Sequence, residues 1–417
     1  MVFVYGLLQM LLAPIWVPWM LLRARRRGGQ MNWQERTGKL AINLDMKRPR
    51  LWFHAVSVGE VIAAKPILRE IRNLNPDVQI VLSVTTTSGH DTAKTQAEGL
   101  YDHLVFFPID IARFVLIALL KVKPHAVAIM ETELWMNFLA VAKNLRAHTM
   151  LINGRISNRS YPRSMKLRFF YNSLLENMDE CLMQTATDAE RIQALGARSA
   201  EVLGNSKFDE ALPSGRTRDE WRQELGIPGD ALVIVVGSSR GEDEERIILD
   251  GLSRWRDEAW IIFAPRHLER ADEVAGLCGS VARRSRGERG QFLLLDTYGE
   301  LASIYAAADV AIIGGSFAPY GGQNLIQALG QGAPVLHGPH MDNFQSAARE
   351  AIDAGASRRV EASGAALGQA LDEILGDAAL RKKMGDAGRE LVARSAGASL
   401  RYATRICDAI ASNSQKA

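Results

Sequence analysis

Apolar positions along this chain gather into short unbroken runs, separated by polar turns and by longer stretches whose apolar residues recur at helical intervals. The first such run, RLWFHAVSV from Arg50 to Val58, suits a strand covered on both faces, as in a parallel sheet. Gly59-Glu60 ends it, and Val61 to Asn73 carries the helical spacing. The alternation then repeats. Strands are predicted at Ile80 to Val84, His103 to Pro108, Pro124 to Met130 and Thr149 to Ile152. Helices follow Thr85-Thr86-Thr87-Ser88-Gly89 and occupy Ile111 to Lys121 and Leu134 to Lys143. Asp179 to Gln184 and Ala200 to Leu203 continue the sheet. Strand, helix, strand in this order predicts an α/β fold with a doubly wound parallel sheet.

Gly204 to Gly215 is polar, contains Pro and Gly, and reads as an interdomain linker. The alternation restarts at Leu232 to Val236, with further strands at Trp260 to Ala264, Phe292 to Leu295, Val310 to Ile313 and Ala333 to Leu336. The C-terminal stretch beyond them reads as helical. The expected organisation is therefore a segment 1–27, a first domain 28–210 and a second domain 211–417. A chain of 417 residues is long for one core, which agrees with two domains.

Polar residues collect just past strand ends, at Gly59-Glu60, Glu131-Thr132-Glu133, Asn153-Gly154-Arg155, Gly237-Ser238-Ser239, Pro265-Arg266-His267 and Asp296 to Glu300. Ligand sites of open α/β sheets lie at that edge. The densest case is VAIIGGSFAPYGGQNLIQALGQGAPVLHGPH, Val310 to His340. Strand, glycine-rich turn, helix mouth at Asn324 and returning strand predict an anion cradle whose amides face a ligand. Four acids, Glu242 to Glu245, open the helix after Gly237-Ser238-Ser239, where they suit the helix dipole.

Composition narrows the chemistry by exclusion. A formal net charge of +3 gives no footing for nucleic acid, and three dispersed cysteines suggest neither a disulfide framework nor a zinc site. There is no Asp-x-Asp, HExxH, CxxC or GxGxxG; His337 and His340 are separated by Gly-Pro. No cofactor or metal is expected, so a leaving phosphate has to be met by amides, Lys and Arg, with Lys207 and Arg266 as candidates. Glu60, after a glycine at a strand-to-helix turn, is placed for a general base; the plain alternative is a helix-capping acid. Met1 to Leu22 carries no charged side chain, and Arg23, Arg25, Arg26 and Arg27 follow. That pattern predicts a membrane anchor, spanning or lying in the interface, with its arginines on the cytoplasmic side.

Several of these stretches together resemble the 3-deoxy-D-manno-octulosonic acid (Kdo) transferases: AVSVGE (Ala55 to Glu60), METELW (Met130 to Trp135), NGRIS-x-x-S (Asn153 to Ser160), GNSKFD (Gly204 to Asp209), PRH, DTYGE and GGSFAPYGGQN…GPHMDNF. The resemblance covers nearly the whole chain. It implies a GT-B glycosyltransferase of two doubly wound, Rossmann-like domains facing a cleft, held on the cytoplasmic face of the inner membrane. The implied reaction is a metal-independent, inverting transfer of Kdo from CMP-Kdo to a hydroxyl of the lipid A precursor (lipid IV-A) in lipopolysaccharide biosynthesis. Carried over by motif, Glu60 is the general base, and Glu131 and Lys207 stabilise the transition state. Pro265, Arg266, Tyr298, Gly299, Glu300, Asn324, Leu325, Ile326 and Gln327 fall in the CMP-binding segments.

The chain departs from the family pattern at Gln327, where Glu is usual, at Gln323, where His is frequent, and at Ser238-Ser239-Arg240 in place of Ser-Thr-His. A Gln at position 327 accepts a ribose hydroxyl through its carbonyl without charge assistance. Two other readings stay open at this stage. One is a GT-B transferase for another nucleotide sugar; the other is a non-catalytic descendant keeping fold and anchor, against which intact Glu60, Glu131 and Lys207 argue.

Overall fold

The structure is a computed structural model that describes Tyr5, Gly6, Gln9 and residues 32–132, 134–158, 160–211 and 216–414. The predicted anchor 1–27 lies outside these residues except for Tyr5, Gly6 and Gln9. Among the described residues no helix is long and apolar enough to cross a membrane. The chain divides into two compact units, one reaching Lys207 and including the chain from Gly397, the other Phe208–Ala396.

In the first unit a single turn, α1 (Trp33–Arg36), precedes β1 (Arg50–His54), α2 (Val58–Leu74), β2 (Gln79–Val84), α3 (Thr87–Gln96), β3 (His103–Phe106) and α4 (Ala112–Val122). Then come β4 (Ala126–Met130), α5 (Met136–Asn144), β5 (His148–Gly154), α6 (Tyr161–Lys166), α7 (Arg168–Leu175), β6 (Glu180–Met183), α8 (Ala186–Leu195) and β7 (Glu201–Val202). The sheet runs β3-β2-β1-β4-β5-β6-β7 with every pairing parallel. Period-two burial explains the unbroken apolar runs: Leu51 and Phe53 enter the core layer under α2, and Trp52 enters the opposite layer with Phe138 and Leu174.

The second unit holds α9 (Arg218–Leu225), β8 (Leu232–Ser239), α10 (Glu242–Gly251), β9 (Ala259–Pro265), α11 (Ala271–Cys278), β10 (Ala282–Arg283), β11 (Phe292–Leu294) and α12 (Leu301–Ile304). It continues with β12 (Val310–Ile313), α13 (Ile326–Gln331), β13 (Val335–His337), α14 (Gln345–Asp353), β14 (Ser357–Arg359), α15 (Gly364–Gly376) and α16 (Ala378–Ser395). Its sheet is also parallel, in the order β10-β11-β9-β8-β12-β13-β14.

Two features differ from the sequence expectation. The edge strands β10 and β14 are too short, at two and three residues, to leave an apolar run. The last helix, α17 (Ala398–Ser414), belongs to the first unit rather than to a second domain ending at 417. Its Tyr402, Ile406 and Ile410 join the core layer under α2, Tyr402 Oη donates to Gly204 O at 2.7 Å and Arg401 Nε to Leu203 O at 2.9 Å. Its helical spacing was readable; which sheet it covers was not, since both sheets offer an apolar face.

Candidate active site

Each unit has a place where its first strand lies between its successor and a later strand: β1 between β2 and β4, β8 between β9 and β12. Crevices at such switch points are where doubly wound sheets bind ligands. In the first unit the carboxyl end of β1 leads through Ala55-Val56 to Ser57, the residue before α2, and Glu60 is the third residue of that helix. Glu60 Oε2 accepts the Val56 N–H at 2.7 Å, and Oε1 lies 3.5 Å from Ser57 Oγ. The carboxylate thus performs the capping task of the plainer reading, while 9% of the residue stays open to solvent.

Glu131 follows β4 directly and takes a left-handed backbone, φ +56°, which is costly for a residue with a Cβ. Its N–H donates to Ile152 O on β5 at 3.0 Å, which fixes the turn. Lys207 Nζ sits 2.9 Å from one carboxylate oxygen and Arg155 Nη2 3.8 Å from the other. Burial by itself would push the Glu131 carboxyl up, but the two cations outweigh it and hold the group below the usual range. It is therefore an ionised carboxylate with 8% of the residue exposed.

The neighbouring backbone explains why Lys207 arrives there. Asn153, also left-handed at φ +50°, accepts the Ser206 N–H on Oδ1 at 3.1 Å. Ser206 Oγ donates to Ala63 O of α2 at 2.9 Å, and Lys207 N donates to Asn205 Oδ1 at 3.1 Å. The segment bearing Lys207 is thereby stitched to the helix of Glu60 and to the strand end that leads to Arg155. Sequence reasoning named Glu60, Glu131 and Lys207 but gave Arg155 and Asn153 no role. The signal that could have found them was their own place in a polar triplet at a strand end.

The second unit corrects the expected cradle. The strand, glycine turn and α13 are present, with Asn324 Oδ1 accepting the Ile326 N–H at 3.0 Å. The turn's amides, however, are largely committed within the protein. Gly314 N donates to Gly237 O at 2.8 Å, Gly322 N to Gly315 O at 2.6 Å, and Gly315 N to the Glu244 carboxylate at 2.7 Å. Glu244 also accepts the Arg240 N–H at 2.5 Å and is fully buried, and burial raises its pKa above the usual carboxylate value. The glycine at 314 serves close approach: a Cβ there would meet the Ser239 backbone at 2.6 Å. Glu245, equally buried, pairs through both oxygens with Arg270 at 2.9 and 2.8 Å. The acid cluster is thus more than a dipole match.

Among the proposed donor-binding residues, Pro265 ends β9, and Arg266 is exposed with its N–H on Ser239 O at 2.7 Å. Tyr298 is 82% exposed. Gly299 has φ +85°, and the Glu300 carboxylate is held by Arg284 and by Thr297 Oγ1, with the Arg284 bond first in keeping it below its ordinary value. Leu325 and Ile326 are fully buried core side chains, so only their backbone is available to a ligand. Gln327 is half-buried. His337 is buried, and its Nδ1–H donates to Gly338 O at 2.8 Å. Among the described residues no group of His, Cys, Asp and Glu could hold a metal ion.

Residues 31–210 match the family described as 3-deoxy-D-manno-octulosonic-acid transferase (kdotransferase). The 3-deoxy-D-manno-octulosonic acid transferase of Bordetella pertussis is 36% identical over 95% of this chain and 97% of its own length. Among solved structures, Acinetobacter baumannii MurG (TM-score 0.59, 14% identity) matches 86% of this chain and 99% of its own. The Neisseria meningitidis UDP-GlcNAc 2-epimerase (TM-score 0.58, 13% identity) matches 87% and 100%. At those identities the two structures speak for the fold alone, and the fold is that of the GT-B proteins.

Proposed function

The chain belongs to the Kdo transferase family of glycosyltransferases, and from that premise we propose that it moves Kdo from CMP-Kdo to a hydroxyl of the lipid A precursor lipid IV-A, with inversion and without a metal. Glu60 takes the acceptor proton as the hydroxyl oxygen bonds to the anomeric carbon of Kdo. The bond from that carbon to the CMP phosphate breaks, and its electron pair leaves with CMP. A primary hydroxyl is a weak nucleophile near neutral pH, so a positioned carboxylate contributes about 10²–10⁴-fold.

The observation that carries this reading is the Glu131, Lys207 and Arg155 cluster. A carboxylate kept ionised by two cations is a fixed negative charge for an anomeric carbon that turns cation-like. Lys207 and Arg155 are suited to the Kdo carboxylate or the departing phosphate. In the second unit, Arg266, Tyr298 to Glu300 and Asn324 to Gln327 are the candidates for CMP. The segment 1–27 anchors the enzyme on the cytoplasmic face of the inner membrane.

The test is transfer by the purified full chain, in detergent, from CMP-Kdo to lipid IV-A. Product is expected with EDTA present, and Glu131→Gln and Lys207→Ala are expected to abolish most of it. Product from a different nucleotide sugar but none from CMP-Kdo would overturn the donor assignment. Activity lost to EDTA and restored by Mg²⁺ would overturn metal independence. Recovery of the full chain wholly in the soluble fraction without detergent would overturn the anchor.

A further inference from the structure

The second unit contains a cavity of about 610 Å³ lined by Arg218, Asp309, Gly332, Arg381, Lys382 and Arg389 among others. It lies at the opposite edge of the sheet from the donor candidates. Asp309 immediately precedes β12 and Pro334, also in its wall, immediately precedes β13, whereas Arg266 and Tyr298 to Glu300 follow carboxyl ends of strands.

Its charge is unbalanced. Arg216, Arg218, Arg381, Lys382 and Arg389 line it against one lining carboxylate, Asp309. Asp309 is shared by Arg218 at 2.8 Å, Arg222 at 3.0 Å and Arg381 at 3.8 Å, and also accepts the Val233 N–H at 2.9 Å. One carboxylate cannot neutralise three guanidinium groups. Nearby acids offset part of the excess: Glu224 pairs with Arg216, and Asp386 with Lys382 and Arg389. Asp219 beside Arg222, and Glu220 and Glu300 near Arg216, offset more of it, although Glu224 and Glu300 are themselves shared with Arg284; the surplus belongs to the lining itself, five cations to one carboxylate. Like charges held together without a counter-ion destabilise the fold, so such a cluster is favoured where an anion completes it.

The walls are also built to bring the cations in. A Cβ at Gly385 of α16 would meet Gly332 O at 2.3 Å, and one at Gly332 would meet the Arg389 guanidinium at 1.7 Å. Two glycines therefore allow α16 to approach the end of α13 closely enough for Arg389 to lie across it, donating to Gln331 O at 3.3 Å. Planar guanidinium groups around a roomy cavity match phosphate oxygens, which accept paired hydrogen bonds.

We propose that this cavity is a second anion site, separate from the transfer site, that takes a phosphate-bearing polyanion of about diphosphate size. The chemistry is common to a soluble diphosphate and to a phospholipid headgroup, and the experiment separates them. Full chain in detergent is titrated with inorganic pyrophosphate, with CMP present in excess. In parallel, it is floated with phosphatidylcholine vesicles with and without phosphatidic acid. Saturable pyrophosphate binding weakened about tenfold or more in Lys382→Gln/Arg389→Gln identifies a soluble ligand. Extra vesicle binding caused by phosphatidic acid and lost in the same variant identifies a headgroup. The altered side chains are 78% and 49% exposed, so the variant should fold, and unchanged melting confirms it. Arg218→Gln, altering the cluster from another helix, should weaken the same binding. Absence of binding in both arms, or binding that both variants retain, overturns the proposal. Because neither arm reads transfer, failure here leaves the Kdo transferase reading standing.

Discussion

Glu60 and Glu244 are the same device built twice. Each is the third residue of the helix that follows the first strand of its sheet, and each accepts the N–H of the residue four before it, Val56 at 2.7 Å and Arg240 at 2.5 Å. Their surroundings differ. The oxygen of Glu244 that holds Arg240 N also holds Gly315 N, and the residue is fully enclosed. Glu60 uses its second oxygen only at 3.5 Å from Ser57 Oγ among the bonds described for it, and it is partly open. One local motif therefore serves as a clasp for a glycine turn in one unit and, in the other, leaves a carboxylate accessible for the base role proposed above. What converts one into the other is whether a neighbouring loop closes over the carboxylate.

The sharpest break of this comparison is Glu60→Gln, which keeps the shape and removes the basicity. Transfer should fall by about 10²–10⁴-fold with little change in melting temperature. A variant within a few-fold of wild type, losing only about 1 kcal/mol of stability, would make Glu60 a cap like its counterpart and shift the search to Glu131. The reciprocal change, Glu244→Ala, should act on the fold. Leaving the buried Gly315 N–H and the partly buried Arg240 N–H without their acceptor is expected to cost roughly 2–5 kcal/mol in denaturant unfolding. No measurable loss would mean that the clasp is not what holds the turn.

A smaller effect contrasts Glu244 with Glu131 by acidity. Glu131 is held below its ordinary value, so its contribution to stability is present above the unfolded carboxylate value and is lost as pH falls through the folded one. Glu244 is raised, so its stability term declines as pH climbs from the unfolded value through the folded one, and recovers on acidification. Difference curves of melting temperature against pH, wild type minus Glu131→Gln and wild type minus Glu244→Gln, should slope in opposite directions. Parallel curves would refute the contrast. The smallest expected change is Gln327→Glu, which should tighten CMP by about 1 kcal/mol through a charge-assisted ribose hydrogen bond. Calorimetry showing equal or weaker CMP affinity would indicate a pocket shaped for the amide.

Much of the scaffold was legible because parallel strands are covered on both faces and leave runs such as Leu232 to Val236 and Val310 to Ile313. The motif residues Glu60, Glu131 and Lys207 were legible too, each at a glycine or polar break. The reading stopped at partnership. It took the Gly314 to Gly322 amides as open to a ligand, when Gly315 is already bound by a carboxylate 71 positions earlier in the chain. It saw in Glu242 to Glu245 only a dipole match, although Glu242 forms an exposed pair with Arg246 and Glu244 and Glu245 are buried.

By itself the sequence determined the alternation of strand and helix, the turns that end them and the family to which the motifs point. These follow from burial period and backbone preference, which act over a few neighbouring residues. The tertiary structure alone decided that Lys207 reaches Glu131 across 76 positions, that Asn153 and Ser206 hold it there, that α17 returns to the first sheet, and that Glu244 is sealed while Glu60 is not. A side chain's charge state and availability depend on which distant groups displace its water, and no local pattern encodes that displacement.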